Sequence, residues 1–371
     1  MPLIKEIEEE EEGRSESPCA TELTPFASIL KLPVLAGKPA IRKTRITTLE
    51  ICPRKEVFAS GFGLRPLGRS PGMDQGSYAH ITFGALANNL DPFVAVMEAK
   101  NRLMAWLDAR GYNYDARQLD QDAAKGYACG LRVYEKRLIP LLQAGWRVEG
   151  VEHRVTFNYH DGINSGSGSV SGKGVCVFDL VVQSPQGATW LVDVKTEGNS
   201  LRQRINEISK SIEGALYVYA ARVTDFPTCV GMLHLVVLKP AINVGVSESY
   251  QDYVLRCNSW WDRTGKYVNR QTTQPESVQE RSEHIPSVLS SQFKRRIKNY
   301  VDFWGHASKD WKEQCPANLP IHEAACRAYG SHCAFNVLCS EPNFDRWAAL
   351  AGDWYVTDPD PLDPDPTRNL P

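Results

Sequence analysis

Two aspartates and a lysine within one short stretch of apolar sequence are the residues that could do chemistry. Asp179 ends the run VCVFD, and Asp193 and Lys195 stand two residues apart in WLVDVKT. Burying an unpaired carboxylate or ammonium costs free energy, so charged side chains inside apolar strands usually have partners or a chemical task. Asp193 and Lys195 would point to the same face of a strand, because side chains alternate along it.

Two adjacent antiparallel strands could bring both carboxylates to one edge of a sheet. Anionic oxygen ligands suit Mg²⁺ or Mn²⁺, and the backbone carbonyl of Val194 could supply a third ligand. Lys195 could then orient the attacking water or offset charge in a pentavalent phosphate transition state. The pattern predicts a site for metal-assisted phosphodiester hydrolysis, whereas an acidic-x-Lys motif on its own also occurs in exposed ion pairs beside hairpins.

The elements that position these residues follow from hydrophobic periodicity. Three- and four-residue spacings of apolar residues predict a helical block in 85–143, and β-prone runs separated by turns predict three strands from residue 146 onward. Residues 201–222 return to helical spacing, and the apolar run at 229–240 predicts a buried strand. The predicted core order is therefore helix, three strands, helix, strand. Further on, the sequence predicts a strand at DYVLRC (252–257), a polar connection at TTQPESVQERSEH (272–284) and a long helix with a basic cluster at 287–311.

Composition and charge limit the classes of protein. With 371 residues, 42% of them hydrophobic, the chain can bury a large core. A formal net charge of -2 does not decide for or against nucleic acid, because a basic cleft can coexist with it. No apolar run reaches the roughly 18–20 residues of a membrane span, and the acidic N-terminus is unlike a secretory signal, so we expect a cytoplasmic protein. The chain also has no Gly-x-x-x-x-Gly-Lys-Ser/Thr loop, so any helicase or recombinase partner must be a separate polypeptide.

The same patterns divide the chain into five predicted parts. The opening run EIEEEEEGRSESP repels itself and buries little, which predicts disorder, and the alternating Asp-Pro sequence near the other end excludes helix and central strand. The parts are an acidic tail (1–40), an N-terminal helical part (41–145), a core (146–240), a helical extension with a cysteine-rich segment (241–350) and an Asp/Pro tail (351–371).

Four of the ten cysteines are distributed in a way that suggests a metal centre. Cys326, Cys333 and Cys339 lie close together in CRAYGSHCAFNVLC, and Cys52 stands far upstream in EICPRKEVF. Thiolates select soft ions, either zinc or an iron–sulfur cluster. Spacing alone favours zinc, although the paired cysteines of zinc fingers are missing. Cys315, in CPAN, is an alternative ligand.

Together these residues resemble the PD-(D/E)xK nuclease superfamily, and within it the RecB-like or AddB-like branch that includes phage-type exonucleases. The resemblance extends over residues 45–340. It implies an α/β fold with a restriction-endonuclease-like core, αβββαβ with a mixed sheet, between an N-terminal helical block and a C-terminal cysteine-rich segment. It also implies that Asp179 and Asp193 are carboxylate ligands of Mg²⁺ or Mn²⁺ and that Lys195 is the catalytic lysine.

Two further motifs of that branch have counterparts in the sequence. GSYAH supplies Gly76 and His80 for a Gly-x-x-x-His motif, which implies that His80 is another metal ligand. FGALAN offers a competing register with Asn88 at the histidine position. EGALY supplies Glu213 and Tyr217 for a Gln-x-x-x-Tyr motif, with Glu in place of Gln. In the branch these two side chains would face the cleft and steady the lysine or the DNA backbone, although a tyrosine at helical spacing also fits a core.

The resemblance also bears on the cysteines and on one further acid. Several members of the branch carry one cysteine before the nuclease core and three after it, which jointly hold a structural 4Fe-4S cluster. That arrangement implies that the cluster ligands are Cys52, Cys326, Cys333 and Cys339. Glu152, in GVEHRV on the first predicted strand, is a secondary candidate, because related enzymes often have an acid there; a solvent-facing glutamate explains it equally well.

The function expected from the resemblance is that of a DNA exonuclease with little sequence preference, in a bacterial or phage-infected cell. It would act in phage replication or recombination, or in DNA repair, with a separate helicase, recombinase or single-strand-binding protein. One alternative is a DNA-binding or assembly protein that keeps the fold without turnover, and another is an endonuclease of the same superfamily that lacks the cluster. Candidate contacts to the DNA backbone, each of which is also explained as a solvated charge, are Arg54, Lys55, Arg202, Arg204 and Lys210.

Overall fold

A computed structural model shows an N-terminal helical region, a β-sheet, and further helices between and after the strands. Most of the two predicted tails, 1–39 and 357–371, lies outside the described residues. The described residues are 40–61, 64–66, 71–109, 113–160, 171–198, 201–208, 211–262, 278–286, 290–310, 333, 335, 338–339 and 355–356.

The helical region precedes the main sheet and also contains one two-residue strand. Two of its helices start at an Asp that caps the first turn and accepts hydrogen bonds from backbone N–H groups, as Asp91 and Asp115 do. In chain order the elements are α1 (Lys43–Ile51), α2 (Pro53–Glu56, continued by the π-helical turn Val57–Gly61), β1 (Arg65–Pro66), α3 (Pro71–Ala87), α4 (Pro92–Asp108), α5 (Ala116–Val133, continued by the π-helical turn Tyr134–Leu138) and α6 (Ile139–Gln143).

The strands of the main sheet and the remaining helices follow from residue 147 onward. The elements are β2 (Arg147–His160), β3 (Ser171–Gln183), β4 (Thr189–Glu197), α7 (Leu201–Ile208), α8 (Glu213–Val223), β5 (Cys229–Leu238), α9 (Tyr250–Asn258, followed by the 3₁₀ turn Trp260–Asp262), β6 (Val278–His284), α10 (Ser291–Asp310) and β7 (Tyr355–Val356), which pairs with β1.

The main sheet is mixed and has the strand order β2-β3-β4-β5-β6. The pair β4 and β5 is parallel, and the other neighbouring pairs are antiparallel. A parallel pair needs a crossover connection, and α7 and α8 provide it. The predicted α/β class with a mixed sheet is confirmed; the three consecutive strands β2, β3 and β4 precede the crossover, and β5 follows it. The sheet also has a fifth strand, and the crossover contains two helices where one was predicted.

Two sequence predictions after the core are wrong. DYVLRC lies in helix α9, whose first turn is capped by the hydroxyl of Ser249, and Tyr253, Val254 and Cys257 form its buried face. A six-residue apolar run does not distinguish strand from helix, so the serine cap was the better signal. The polar connection 272–284 contains strand β6 at the sheet edge, where polar side chains are tolerated because one side faces solvent. The long basic helix is confirmed as α10.

Helices pack on both faces of the sheet. Consecutive residues of β4 belong to different apolar clusters: Leu191 packs with residues of α8 and α10, and Val192 packs with residues of α3 and α5. Because side chains alternate along a strand, the two clusters lie on opposite faces. None of the helices in the described part of the chain has the length and hydropathy needed to cross a membrane.

Helices α3 and α5 approach each other so closely that their backbones are in contact. A Cβ atom added to Gly126 would lie 2.4 Å from Cβ of Tyr78, and one added to Gly130 would lie 2.5 Å from the carbonyl oxygen of Ala79. Only glycine fits at such a distance. The contact fixes the position of α3, which carries His80, against the rest of the protein.

Candidate active site

The candidate site lies where strands β3 and β4 separate. Their antiparallel ladder starts with Leu180 opposite Val192 and runs towards the connecting turn. Immediately before Leu180, the carboxylate of Asp179 replaces a ladder partner, because its Oδ2 accepts a hydrogen bond from the backbone nitrogen of Val194 at 2.8 Å. The carboxylate therefore lies at the point where the two strands open.

Glu152 of β2 lies beside the same point. Its neighbour Val151 pairs with Leu180, so Glu152 is opposite Asp179. Glu152 has a φ of 47°, in the left-handed region that residues other than glycine rarely adopt, and a β-bulge interrupts β2 just upstream. Strained backbone of this kind is concentrated at functional sites in proteins.

His80 reaches Asp179 from helix α3, one turn after Gly76. Its Nδ1 lies 3.2 Å from Oδ2 of Asp179. One ligand atom from each of His80, Glu152 and Asp179 lies within 4.8 Å of the others. The competing motif residue, Asn88, is exposed beyond the end of α3, so the structure brings His80 rather than Asn88 to the carboxylate.

Neighbouring charges hold Asp179 in its ionised form. Burial raises the pKa of Asp179, but His80, Lys195 and the hydrogen bond from Val194 outweigh burial and hold the pKa below its ordinary value. Burial also opposes protonation of His80, yet Asp179 raises the pKa of that imidazole above its ordinary value. A carboxylate that stays ionised when buried is a good ligand for a cation.

Lys195 lies between two buried carboxylates. Its Nζ is 2.5 Å from Oδ1 of Asp193 and 3.2 Å from Oε1 of Glu213. Lys43 of α1 approaches the same Glu213 oxygen at 3.0 Å, because Ile41 pairs with β3 and brings the start of α1 to the sheet. Burial lowers the pKa of Lys195, but Asp193 and Glu213 outweigh burial and raise it above the ordinary value. Lys195 is therefore a fixed positive charge in the site.

His234 of β5 holds the other oxygen of Asp193. Its Nδ1 is 3.1 Å from Oδ2 of Asp193, and its Nε2 is 3.6 Å from Oε2 of Glu283 on β6. Burial lowers the pKa of His234, but the two carboxylates outweigh burial and raise it to about 9. Burial raises the pKa of Asp193, while Lys195 and His234 hold it below its ordinary value. Charges of alternating sign thus extend from Lys43 across the site to Glu283.

Helix α8 supplies the two residues of the half-matched motif. Glu213 is its first residue and is buried, with its backbone N–H donating to Oγ of Ser211. Tyr217 follows one turn later, half-buried, with its ring 5.6 Å from that of Phe178 in an edge-on contact. Burial, with Glu213 and other nearby groups, raises the pKa of Tyr217 well above its ordinary value. Tyr217 is therefore a neutral phenol beside the charged residues.

The donor set at the strand opening fits a divalent cation. Ligands about 2.1 Å from a common ion are at most about 4.2 Å apart, which agrees with the 4.8 Å limit met by His80, Glu152 and Asp179. The two carboxylates of this group are the kind of ligand that suits Mg²⁺ and Mn²⁺. Asp193 is not in this set; its two oxygens contact Lys195 and His234, and each keeps a further lone pair with which it can bind a cation. The secondary candidate Glu152 therefore joins His80 and Asp179, and binding of the ion by Asp193 stays a prediction.

The segment around Cys52 packs against the C-terminal cysteines. Cys52 is buried, Arg54 donates a hydrogen bond to the carbonyl oxygen of Cys339 at 3.2 Å, and the rings of Phe58 and Phe335 are 5.6 Å apart. Two segments that lie before and after the main sheet in the sequence are therefore in contact here. The remaining predicted ligands, Cys326 and its alternative Cys315, lie outside the described residues.

The described cysteines do not form a compact zinc site. Zn–S bonds of about 2.3 Å in a tetrahedron put the sulfur atoms roughly 3.8 Å apart. Among the described residues, the sulfurs of Cys52, Cys333 and Cys339 do not all lie within 4.8 Å of one another.

The candidate DNA contacts have different environments. Arg54 is only 4% exposed and donates a hydrogen bond to the carbonyl oxygen of Cys339. Arg204 pairs with Glu207 on the surface at 3.4 Å, and Lys55 is half-buried. The side chain of Arg202 and the whole of Lys210 lie outside the described residues.

Fold and site together define a class of protein: an α/β domain with carboxylates, an imidazole and a lysine at an opening in a mixed sheet, as in metal-dependent phosphodiester hydrolases. A family model for the PD-(D/E)XK nuclease superfamily matches residues 43–340. The chain therefore belongs to the PD-(D/E)XK nuclease superfamily. Members of this superfamily use Mg²⁺ or Mn²⁺. Membership supports the hydrolysis of phosphodiester bonds and implies DNA as the substrate. In a comparison with curated proteins, no protein matches this chain.

Sequence analysis missed three of the charged residues that meet at the site. His234 stands in the apolar run CVGMLHLVVL, which is the same kind of signal that identified Asp179. Glu283 lies in the segment that was predicted to be a connection. Lys43 is the first residue of α1, in a polar stretch where nothing in the sequence distinguishes it.

Proposed function

We propose that this protein is a metal-dependent DNA exonuclease of the RecB-like type. The observation that carries the proposal is the arrangement at the strand opening: the His80, Glu152 and Asp179 group adjoins the buried Asp193 and Lys195 pair. Four carboxylates, counting Glu213 with these three acids, meet the two lysines Lys195 and Lys43.

The carboxylates that meet at the strand opening indicate that the site works with a cation. DNA phosphate would be repelled by these carboxylates unless a divalent ion neutralised them. Asp179, Glu152 and His80 would hold the ion, with Asp193 and the Val194 carbonyl as the further ligands expected from the sequence. When bound, the ion supplies a Lewis acid at the scissile phosphate and lowers the pKa of a bound water.

The lysine and the motif residues on α8 have separate proposed tasks. Lys195 would orient the attacking water or offset charge on the phosphate in the transition state. Glu213 shares its Oε1 between Lys195 and Lys43 and so would fix the direction of the Lys195 ammonium. Tyr217, as a neutral phenol, can donate a hydrogen bond to a DNA phosphate.

The RecB-like type is supported by the geometry of the two motifs. Gly76 and His80 are one turn apart on α3, which packs on the sheet. Glu213 and Tyr217 are one turn apart on α8, the second helix of the crossover, and Glu213 contacts Lys195. A site that contacts phosphates rather than bases has little sequence preference. By analogy with that branch, we propose action on DNA ends in the cytoplasm of a bacterial or phage-infected cell, in replication, recombination or repair, beside a separate helicase, recombinase or single-strand-binding protein.

We also propose a structural 4Fe-4S cluster held by Cys52, Cys326, Cys333 and Cys339. The contact between the Cys52 segment and the Cys339 segment supports it, since both segments pack into one apolar cluster with α10. A cluster there would tie together two ends of the nuclease core and restrict the unfolded chain.

Digestion of defined DNA substrates tests the proposal. Anaerobically purified protein is incubated with Mn²⁺ or Mg²⁺ and with linear single strands and duplexes labelled at either end, and with closed circles of both. We expect linear DNA to be shortened from an end while circles survive. Lys195→Ala should lower the rate at least about a hundredfold, as expected when a positioned catalytic side chain is removed. Iron, sulfide and zinc are measured in the same preparation.

A matched control is Lys100→Ala. Lys100 also forms a partly buried ion pair with an aspartate, Asp120, at 2.6 Å, but it lies on α4 outside the site, so this variant should digest DNA at the wild-type rate. Cutting of circles would favour an endonuclease. Wild-type protein that binds DNA without cutting it would favour a binding or assembly role, and zinc without iron would contradict the cluster.

A further inference from the structure

His234 is buried in the middle of an apolar strand. Its exposed fraction is 1%, and its neighbours Leu233 and Leu235 are core residues on the other face of β5. An imidazole in such surroundings costs free energy unless its ring nitrogens are hydrogen-bonded. The contacts of both nitrogens therefore indicate why the residue is there.

One ring nitrogen of His234 is directed at Asp193. The two residues are register partners on the parallel strands β4 and β5, and Nδ1 lies 3.1 Å from Oδ2 of Asp193. Because the Lys195 ammonium donates to the other oxygen of this carboxylate, the carboxylate acts as an acceptor and the imidazole is the donor. With Lys195 at Oδ1, both oxygens of Asp193 are fixed from opposite sides.

The other nitrogen of His234 faces Glu283 on the edge strand β6, with 3.6 Å between Nε2 and Oε2. The same Glu283 oxygen would lie 3.0 Å from a Cβ atom added to Gly214, so the carboxylate passes close to the first turn of α8. A carboxylate behind an imidazole fixes the tautomer and the orientation of the ring. Glu283 is thus placed to orient His234 towards Asp193.

We propose that His234 is a positioning residue that fixes the carboxylate of Asp193 for divalent-ion binding, and that Glu283 orients the imidazole. The inference rests on the proposed function, because it assumes that the site holds such an ion. In this proposal, residues of β5 and β6 support the carboxylate of Asp193, which lies on the neighbouring strand β4.

Two substitutions of His234 differ in which nitrogen they replace. In His234→Asn the side-chain amide lies near the position of Nδ1 and can still donate to Asp193. In His234→Gln the amide lies near the position of Nε2, so the bond to Asp193 is lost while the contact with Glu283 remains. Glu283→Gln removes only the charge behind the ring. His160→Gln is the control, because His160 is an exposed histidine at the far end of β2, outside the site.

The measurement is Mn²⁺ binding to DNA-free protein by calorimetry, with electron paramagnetic resonance of the ion as a second readout. His234→Gln should weaken binding by about 10- to 100-fold, the usual effect of removing a group that orients a metal ligand. His234→Asn should stay within about threefold of wild type, Glu283→Gln should lie between the two His234 variants, and His160→Gln should match wild type. Far-UV circular dichroism and thermal unfolding check that each variant is folded.

Equal Mn²⁺ affinity of the Asn and Gln variants and wild type would overturn the role of His234. Equal loss in both, with the fold intact, would also overturn it, because the effect would then not depend on the nitrogen that faces Asp193. Wild-type protein that binds no Mn²⁺ would instead contradict the proposed function, and with it the assumption on which this inference rests. If His234→Gln fails to fold, an unchanged affinity in Glu283→Gln contradicts the orienting pair.

Discussion

The buried carboxylates of this protein form two groups with opposite surroundings. At the strand opening, Asp179 and Asp193 have cationic partners, and their pKa values lie below the ordinary range even though burial opposes ionisation. Elsewhere, Glu56 of α2 and Asp122 of α5 are equally buried but have mainly neutral partners. Burial raises the pKa of Glu56 to about 8 and that of Asp122 to about 6.

The neutral partners of the second group are visible in the contacts. Oδ1 of Asp122 accepts hydrogen bonds from the side-chain amides of Gln75 at 2.7 Å and Gln118 at 2.9 Å. For Glu56, burial outweighs the hydrogen bonds with Ser60 and Tyr300 and a more distant arginine. Amides and hydroxyls satisfy a carboxylic acid without stabilising its charge as strongly as a cation does.

The difference shows which buried acids belong to a reactive site. Burial alone pushes an acid towards its neutral form, in which it is a poor ligand for a cation. The protein keeps Asp179 and Asp193 ionised by burying His80, Lys195 and His234 beside them. Such a concentration of paired charges does little for stability, so a function explains it better than the fold does.

The largest expected effect comes from removing a charge from the first group. Asp179→Asn keeps an oxygen that can accept the hydrogen bond from Val194 but loses the negative charge beside His80. We expect DNA hydrolysis to fall at least about a hundredfold to a thousandfold, as when one preorganised electrostatic group is removed from an active site. Initial rates on end-labelled linear DNA across a range of Mn²⁺ concentrations measure it.

The control for this change is the same substitution in the second group, Asp122→Asn, which should leave the rate unchanged. If the two variants lose activity equally, the distinction between the groups is wrong. If Asp179→Asn keeps full activity at saturating Mn²⁺, Asp179 is not part of the reactive site.

The first group was largely predictable from the sequence, because burying a charged side chain within an apolar strand costs free energy. Asp179, Asp193 and Lys195 interrupt apolar strands, where a charge must have a purpose, so the sequence alone identifies them. His234 interrupts an apolar strand in the same way and was still missed, because a histidine is less conspicuous there than an aspartate. The choice of Lys43 as partner of Glu213 depends on how the segment before α1 pairs with β3, which no local pattern encodes.

The fold was predictable where elements are long and periodic. The mixed sheet and the basic helix α10 follow from their patterns, while the short segments α9 and β6 were assigned to the wrong structure. A strand at a sheet edge has one solvated side and few apolar residues, so its sequence resembles a loop. The left-handed φ of Glu152 likewise arises from tertiary contacts and has no sequence signal.

The second expected effect concerns Glu56 and the dependence of stability on pH. Its pKa is about 8 in the folded protein against an ordinary value of 4.5, so between these pH values the folded state keeps a proton that the unfolded state has released. Wild-type stability should therefore fall as the pH rises from 5 to 8. Glu56→Gln, which cannot ionise, should remove a decrease on the order of 3 kcal/mol.

Urea unfolding of wild type and Glu56→Gln at several pH values measures this difference. Comparing the slopes cancels the contributions of other groups, such as His80 and His234, that titrate in both proteins. Parallel curves for the two proteins would mean that Glu56 is ionised when folded and belongs with the first group.

The smallest expected effect concerns Asp122. Its pKa of about 6, against an ordinary 3.8, gives the same sign: its contribution to stability is present below pH 4 and is lost as the pH rises through 6. Asp122→Asn keeps the oxygen that accepts from Gln75 and Gln118, so it should remove a decrease on the order of 1–2 kcal/mol, complete by about pH 7. Urea midpoints at pH 4, 5, 6 and 7 measure it. A variant less stable than wild type at pH 7 would show that Lys125 compensates the charge of Asp122, as Lys195 compensates that of Asp193 in the candidate site.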